Sequence, residues 1–326
     1  MNGPSALAVE IVDIRHFDAS DFAPLLDAES SAWRSTLRWD YAAAARLIAT
    51  CLAEKRLSGY ALVSGRRIRG YCFFIYEGEK GLIGSLFVEP ICTEYAPLLL
   101  EHVIETLKAT PGLHRVEAQL PHYSFEALDT CFRRHQFQGY FRRFMARPLG
   151  NGQIAPSASV SARSRTEFTI EPWLRKHDDG AARLLYRAYN DHVDAQINDQ
   201  YCSVAGASRL LDNIVHLRGC GESIPQASSV ALHRLTGKLA GFLALTAVQP
   251  GTAHIPQVAV ANEFQGQGIG GMLMESSFKE LERLQFEEVS LTVTELNAGA
   301  VHFYERLGFE TFHSFGAFVW NHYPDE

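Results

Sequence analysis

Gln265-Gly266-Gln267-Gly268-Ile269-Gly270-Gly271 places four glycines in six positions. The run follows the apolar Val258-Ala259-Val260 and opens a segment with Met274, Phe278, Leu281 and Leu284 at helical spacing. A helix that starts in this way presents backbone N–H groups without intrahelical partners, at the positive end of its dipole. Glycine lets an anion approach that backbone closely, so a pyrophosphate-bearing ligand is the first expectation. Two competing glycine turns fit poorly. A dinucleotide site needs G-x-G-x-x-G near the start of a βαβ unit and an acidic residue about 20 positions on, and a P-loop needs Gly-Lys-Ser/Thr, which is absent. A ligand-free glycine cap is the plainer alternative, but it has no use for this many glycines.

The chain that must position this turn has 326 residues, room for about two ordinary domains. Apolar residues make up 47% and charged residues 21%, enough for a core in each half. A net charge of −7 argues against duplex nucleic acid as a partner. The short basic pairs Arg66-Arg67, Arg133-Arg134 and Arg142-Arg143 read as solvated faces. No apolar run reaches the length of a membrane span, and Met1 to Ser5 do not open a secretion signal. Six dispersed cysteines without C-x-x-C pairs suggest reduced thiols in a cytoplasm and no zinc site.

The two halves repeat one pattern around a small, polar stretch at 150–165, which reads as a linker. Gly70 and Gly241 each follow a basic turn and open an apolar strand. Val88 precedes a loop and a helix over 98–107, as Val260 precedes its own, and 116–120 resembles 289–293. The pairs Val88/Val260 and Phe137/Phe309 share an offset of 172 residues, the mark of a duplicated domain. At that offset the glycine turn falls opposite Thr93, Glu94, Ala96, Pro97 and Leu98, and Tyr304 falls opposite Phe132. The expected division is 1–149, a degenerate copy without the cofactor motif; 150–165, the linker; and 166–326, the catalytic copy.

Gln265-x-x-Gly268-x-Gly270 after a strand, with Asn297-Ala298-Gly299-Ala300-Val301-His302-Phe303-Tyr304 downstream, resembles the GNAT acyl-CoA N-acyltransferase superfamily. The likeness is strongest over 254–310. The tandem arrangement with one worn half is similar to that of mycothiol synthase. This resemblance implies an α/β (α+β) architecture of two tandem domains, each a mixed, mostly antiparallel sheet flanked by helices and splayed open around acetyl-CoA. It implies that Val258 and Val260 pair with the pantetheine arm, that Gln265, Gly266, Gln267, Gly268, Ile269, Gly270 and Gly271 hold the pyrophosphate, and that Asn297 faces the thioester end.

Direct transfer needs a neutral amine, and holding a lysine-like amine neutral at pH 7 costs roughly 4–5 kcal/mol. The resemblance makes Tyr304 the acid for the leaving thiolate. It makes His254 and Glu295 rival bases, and a main-chain amide near Val258 the donor to the thioester oxygen. Pro256 removes a ladder donor and so signals a bulge or opening, which would turn Gln257 into the site. The stretch 189–201 is expected to border the acceptor, with Asp194, Asn198 and Tyr201 as substrate-binding residues; a hydrated interhelical loop is the alternative reading. The expected reaction is acetyl transfer to a primary amine of a small molecule or peptide, by a cytoplasmic monomer or homodimer with no nucleic-acid or membrane partner. An acyl-CoA sensor without turnover and a longer acyl group remain open.

Overall fold

The computed structural model describes residues 8–150, 162–217 and 220–322. Most of the expected linker (151–161) and the chain start at 1–5 lie outside the described residues. Two compact units emerge, Met1–Arg142 with Ser314–Glu326, and Arg143–His313. The passage from one to the other thus falls inside a strand, ahead of the polar stretch, and the end of the chain returns to the first unit. Among the described residues no helix is long and apolar enough to cross a membrane.

The first unit contains β1 (Glu10–Asp13), α1 (Ala19–Leu37), α2 (Ala42–Ala53), β2 (Ser58–Ser64), β3 (Arg67–Glu77), β4 (Lys80–Val88), α3 (Ala96–Lys108), β5 (Arg115–Gln119), α4 (Phe125–Arg134) and the start of β6 (Gln138–Pro148). β1 to β4 pair antiparallel in sequence order, β4 and β5 pair parallel, and residues 317–321 of the last strand pair antiparallel with β5.

The second unit takes the rest of β6, then α5 (Ala162–Glu167), β7 (Phe168–Pro172), α6 (Asp178–Tyr189), α7 (Val193–Ile197), α8 (Val204–Val215), β8 (Glu222–Ser223), β9 (Ser229–His233), β10 (Leu239–Gln249), β11 (Thr252–Val260), α9 (Ile269–Arg283), β12 (Glu288–Thr294), α10 (Ala298–Arg306) and the start of β13 (Glu310–Asn321). Its sheet follows the same plan: β7, β9, β10 and β11 pair antiparallel in that order, and β11 and β12 pair parallel. Both sheets are mixed and mostly antiparallel, as expected.

Side-chain alternation along β10 explains the layers. Phe242 and Ala244 pack with α6 and α8 residues such as Leu185 and Leu211, while Leu243 and Leu245 pack with Leu273, Phe278 and Leu281 of α9. Each such buried Leu or Phe contributes about 1.5–3 kcal/mol, enough to fix the strand's register.

The register contains the feature that makes a site. Opposite Leu245 of β10, β11 carries two residues, Ile255 and Pro256, between the pairs Ala244↔Gln257 and Thr246↔His254. Pro256 therefore sits in a bulge, where its missing N–H costs no ladder bond. Pairing of β11 with β12 stops at Ile255↔Leu291, so residues 256–260 run on beside an open edge. The first unit repeats this geometry: Gly84 is the extra residue between Phe73↔Ser85 and Phe74↔Ile83, and β4 leaves β5 after Ile83↔Ala118. Gly84 and Pro256 stand 172 residues apart, and a Cβ at Gly84 would meet the Phe73 ring at 2.1 Å.

Candidate active site

Backbone alternation decides which groups of β11 face the opening. Ala261 donates its N–H to Ala240 O on the β10 side. Successive residues of a strand point their N–H and C=O to opposite sides, so Ala259 also faces β10 while Val258 and Val260 face the open edge. Side chains meet those two carbonyls. The Tyr189 hydroxyl donates to Val258 O at 3.0 Å, and Gln265 Nε2 donates to Val260 O at 3.3 Å and to Asn262 Oδ1 at 3.1 Å. Gln265 thereby ties the glycine turn to the end of its strand.

In the turn, Gly266 and Gly268 adopt φ of 75° and 77°, a region open to glycine at little cost. Gly268 caps α9 with no side-chain acceptor, and the first turn of α9 holds no acid. The first backbone bond of the helix runs from Met272 N–H to Gly268 O. The N–H groups of Ile269, Gly270 and Gly271 therefore lie at a bare positive helix end. A pyrophosphate fits this cradle, and the polar edge of Val258 and Val260 fits the amides of a pantetheine arm.

The far side of the opening is built from α6, α7 and the turn after it. Tyr189 and Tyr201 stack with ring centroids 4.7 Å apart, and the Tyr201 hydroxyl donates to Gln257 Oε1 at 2.8 Å. Asp194 on α7 reaches the other lip of the opening, where Thr294 Oγ1 donates to its Oδ1 at 2.5 Å. Tyr304 is buried at 8% exposure on α10. Burial, and secondarily the charge of Asp194, push its hydroxyl pKa well above the ordinary range, so it remains protonated at neutral pH. Tyr189 is shifted the same way, by burial first. Asn297 uses its Oδ1 to accept the Ala300 N–H at 3.2 Å, which caps α10 and sets the helix that carries Tyr304.

Three expected residues have other work. His254 is buried in the closed part of the ladder, where its register partner is Ser290 and its Nδ1 lies 2.9 Å from Ser290 Oγ. Glu295 is clamped by Arg143 through two guanidinium contacts, one of them Nη2 to Oε1 at 2.7 Å, and that pairing lowers its carboxyl pKa. A carboxylate so stabilised is a weaker proton acceptor. Asn198 caps the following turn by accepting the Gln200 N–H at 3.0 Å. Conversely, Tyr189, His192 and Thr294 meet the site without having been singled out. Thr294 was visible as the hydroxyl that closes β12, and the first two lay in the polar stretch at 189–201.

Residues 196–309 match the Acetyltransferase (GNAT) family model, and they span the bulge, the open edge, the glycine turn and Tyr304. Over this stretch the chain is similar to the GNAT acetyltransferases. [Ribosomal protein bS18]-alanine N-acetyltransferase of Escherichia coli (strain K12) is 40% identical to the chain over 73 residues, 22% of this chain and 49% of that protein. The chain thus spans about half the length of that relative. The uncharacterized N-acetyltransferase ycf52 of Gracilaria tenuistipitata var. liui is 28% identical over 140 residues, 42% of this chain and 75% of that protein. Among solved structures, a tandem GNAT protein from the clavulanic acid biosynthesis pathway covers 98% of this chain and 100% of its own, with TM-score 0.63 and 16% identity. A GCN5-related N-acetyltransferase from Sphaerobacter thermophilus covers 96% and 95%, with TM-score 0.62 and 15% identity. At these identities the likeness is one of fold, a tandem GNAT architecture along the chain; a likeness to mycothiol synthase in particular does not follow from it. Tyr189, His192 and Asp194 precede the stretch matched by the GNAT model.

Proposed function

We propose that the second unit is an acetyl-CoA-dependent N-acetyltransferase that acts on a primary amine of a small molecule or peptide. The observation that carries this reading is the open edge of Val258 and Val260, which ends in the bare N-terminus of α9 and is met by Tyr189, a neighbour of Tyr304 and Asp194. Acetyl-CoA would lie along that edge, with its pyrophosphate on the amides at 266–271. Asp194 would receive the acceptor as an ammonium ion, between the Tyr189/Tyr201 stack and Thr294. Tyr304, kept protonated, would donate to the departing sulfur, and the open-edge N–H of Val258 would donate to the thioester oxygen as charge develops there.

The first unit would support this chemistry without binding the cosubstrate. The N–H of Glu89 bonds Arg69 O, so alternation turns Val88 toward the opening, on the side of the buried Tyr123. Where α9 begins in glycines, α3 has Pro97 in its first turn, which removes one N–H donor.

The test is acetyl-CoA with a panel of amines that includes an alanine-initiated peptide, read by thiol release and by the mass of the acetylated product. Transfer to an amine supports the proposal. Saturable acetyl-CoA binding without transfer to any amine would leave a sensor in its place.

A further inference from the structure

We propose that His192 is the proton acceptor of this site, working beside Asp194, an inference that rests on the N-acetyltransferase reading above. A bound ammonium must lose a proton before its nitrogen can attack a thioester. Of the groups that could take it, Glu295 is held by Arg143, and His254 is buried in the closed ladder against Ser290.

His192 is placed differently. It caps α7, with Nδ1 accepting the Asp194 N–H at 3.2 Å, and the same Nδ1 lies 3.4 Å from Asp194 Oδ2. Its side chain is 30% exposed and that of Asp194 15%, so one end of the ring meets the carboxylate and the residue as a whole reaches solvent. The other titratable groups around it are named readily. Tyr189 of α6 sets its ring 5.1 Å away, Tyr304 of α10 faces Asp194, and Asp191 precedes it in the chain.

The proton ledger is simple. Neutral His192 carries its hydrogen on Nε2, because Nδ1 already accepts. An ammonium seated on Asp194 gives one proton to Nδ1, whose lone pair releases the Asp194 N–H to take it; the N–H electron pair stays on the amine nitrogen, and the imidazolium turns its new Nδ1–H to Asp194 Oδ2. Nδ1 then passes that proton to water as the site empties and accepts the Asp194 N–H again, which restores the starting tautomer with its hydrogen on Nε2. The neutral amine attacks the thioester carbon, the C–S bond breaks, and the thiolate takes a proton by way of Tyr304 as the new amide forms. The sum is ammonium plus acetyl thioester giving amide, thiol and one proton.

His192→Asn isolates this role, since asparagine keeps a good cap acceptor and cannot relay a proton. The probe is acetyl-CoA with an alanine-initiated peptide, whose α-amine titrates at about 7.7–8.0. In the wild type, the rising limb of kcat/KM against pH lies below that range. In His192→Asn it moves up into it, with a loss of about tenfold at pH 7 that shrinks as the pH rises, because only about a tenth of such an amine is neutral at pH 7. Acetyl-CoA affinity stays unchanged. A variant that loses activity equally at every pH, or not at all, overturns the relay while leaving the acetyltransferase standing. A wild-type protein that acetylates no amine overturns the underlying reading and the relay together.

Discussion

Thr294 donates its hydroxyl to Asp194 Oδ1, so the residue that ends β12 is tied to α7. Thr294 is fully buried, and a hydrogen bond to a charged group contributes about 1.5–3 kcal/mol. The bond fixes one carboxylate oxygen at the lip of the opened sheet and leaves the other toward His192.

Replacing Thr294 by Val keeps the shape and removes the donor. The expected result is a rise of about tenfold or more in KM for the amine acceptor, with the acetyl-CoA dissociation constant unaltered. Steady-state kinetics beside a direct binding titration would read both; weakened acetyl-CoA binding would place Thr294 on the cosubstrate side.

Tyr304→Phe should lower kcat by about 10²-fold, within the usual range for a proton donor, and leave acetyl-CoA affinity within about twofold. The ring packs against Phe303 and Phe309, and phenylalanine preserves that packing. Unchanged kcat would assign protonation of the thiolate to water.

Glu29 in the first unit supplies a stability prediction. It is fully buried, accepts from the Tyr71 hydroxyl, from Ser85 Oγ at 2.8 Å and from Trp33 Nε1 at 3.5 Å, and burial outweighs those bonds to raise its pKa. A carboxyl whose folded pKa is raised binds its proton more tightly in the native state. Its contribution is therefore complete below the unfolded value of about 4.3 and is lost as pH rises through the folded value. Glu29→Gln should flatten the fall in unfolding free energy between about pH 5 and pH 8. Denaturant midpoints at the two pH values measure this, and an unaltered slope would show that Glu29 ionises as freely folded as unfolded.

Much of the glycine turn and its strand was legible in the sequence, because its physics is local. Glycines at 266 and 268 need their own dihedral region, a bare helix start needs no distant partner, and Pro256 forces an interruption wherever its strand pairs. The repeat was legible too, and the structure extends it, with the bulged Gly84 opposite Pro256 at the offset already set by Val88 and Val260. The surroundings of Asp194 were not, because they depend on contacts distant in the chain: Asp194 with Thr294, Tyr189 with Val258, Tyr201 with Gln257. His254 and Glu295 looked basic by type, and only the ladder and Arg143 reveal that each is committed elsewhere. The passage between units inside β6 was hidden for the same reason, since strand exchange leaves no composition change at Arg142 and Arg143.

The most direct test of the account is isothermal titration with acetyl-CoA of the wild-type protein and of Gly268→Glu, whose side chain would bring a carboxylate and a β-carbon to a glycine with φ of 77°. One binding event per chain, abolished in the variant while its thermal unfolding stays cooperative, is the predicted result. No binding to the wild type, two events per chain, or unaltered affinity in Gly268→Glu would contradict the assignment of the glycine turn as the single cosubstrate site.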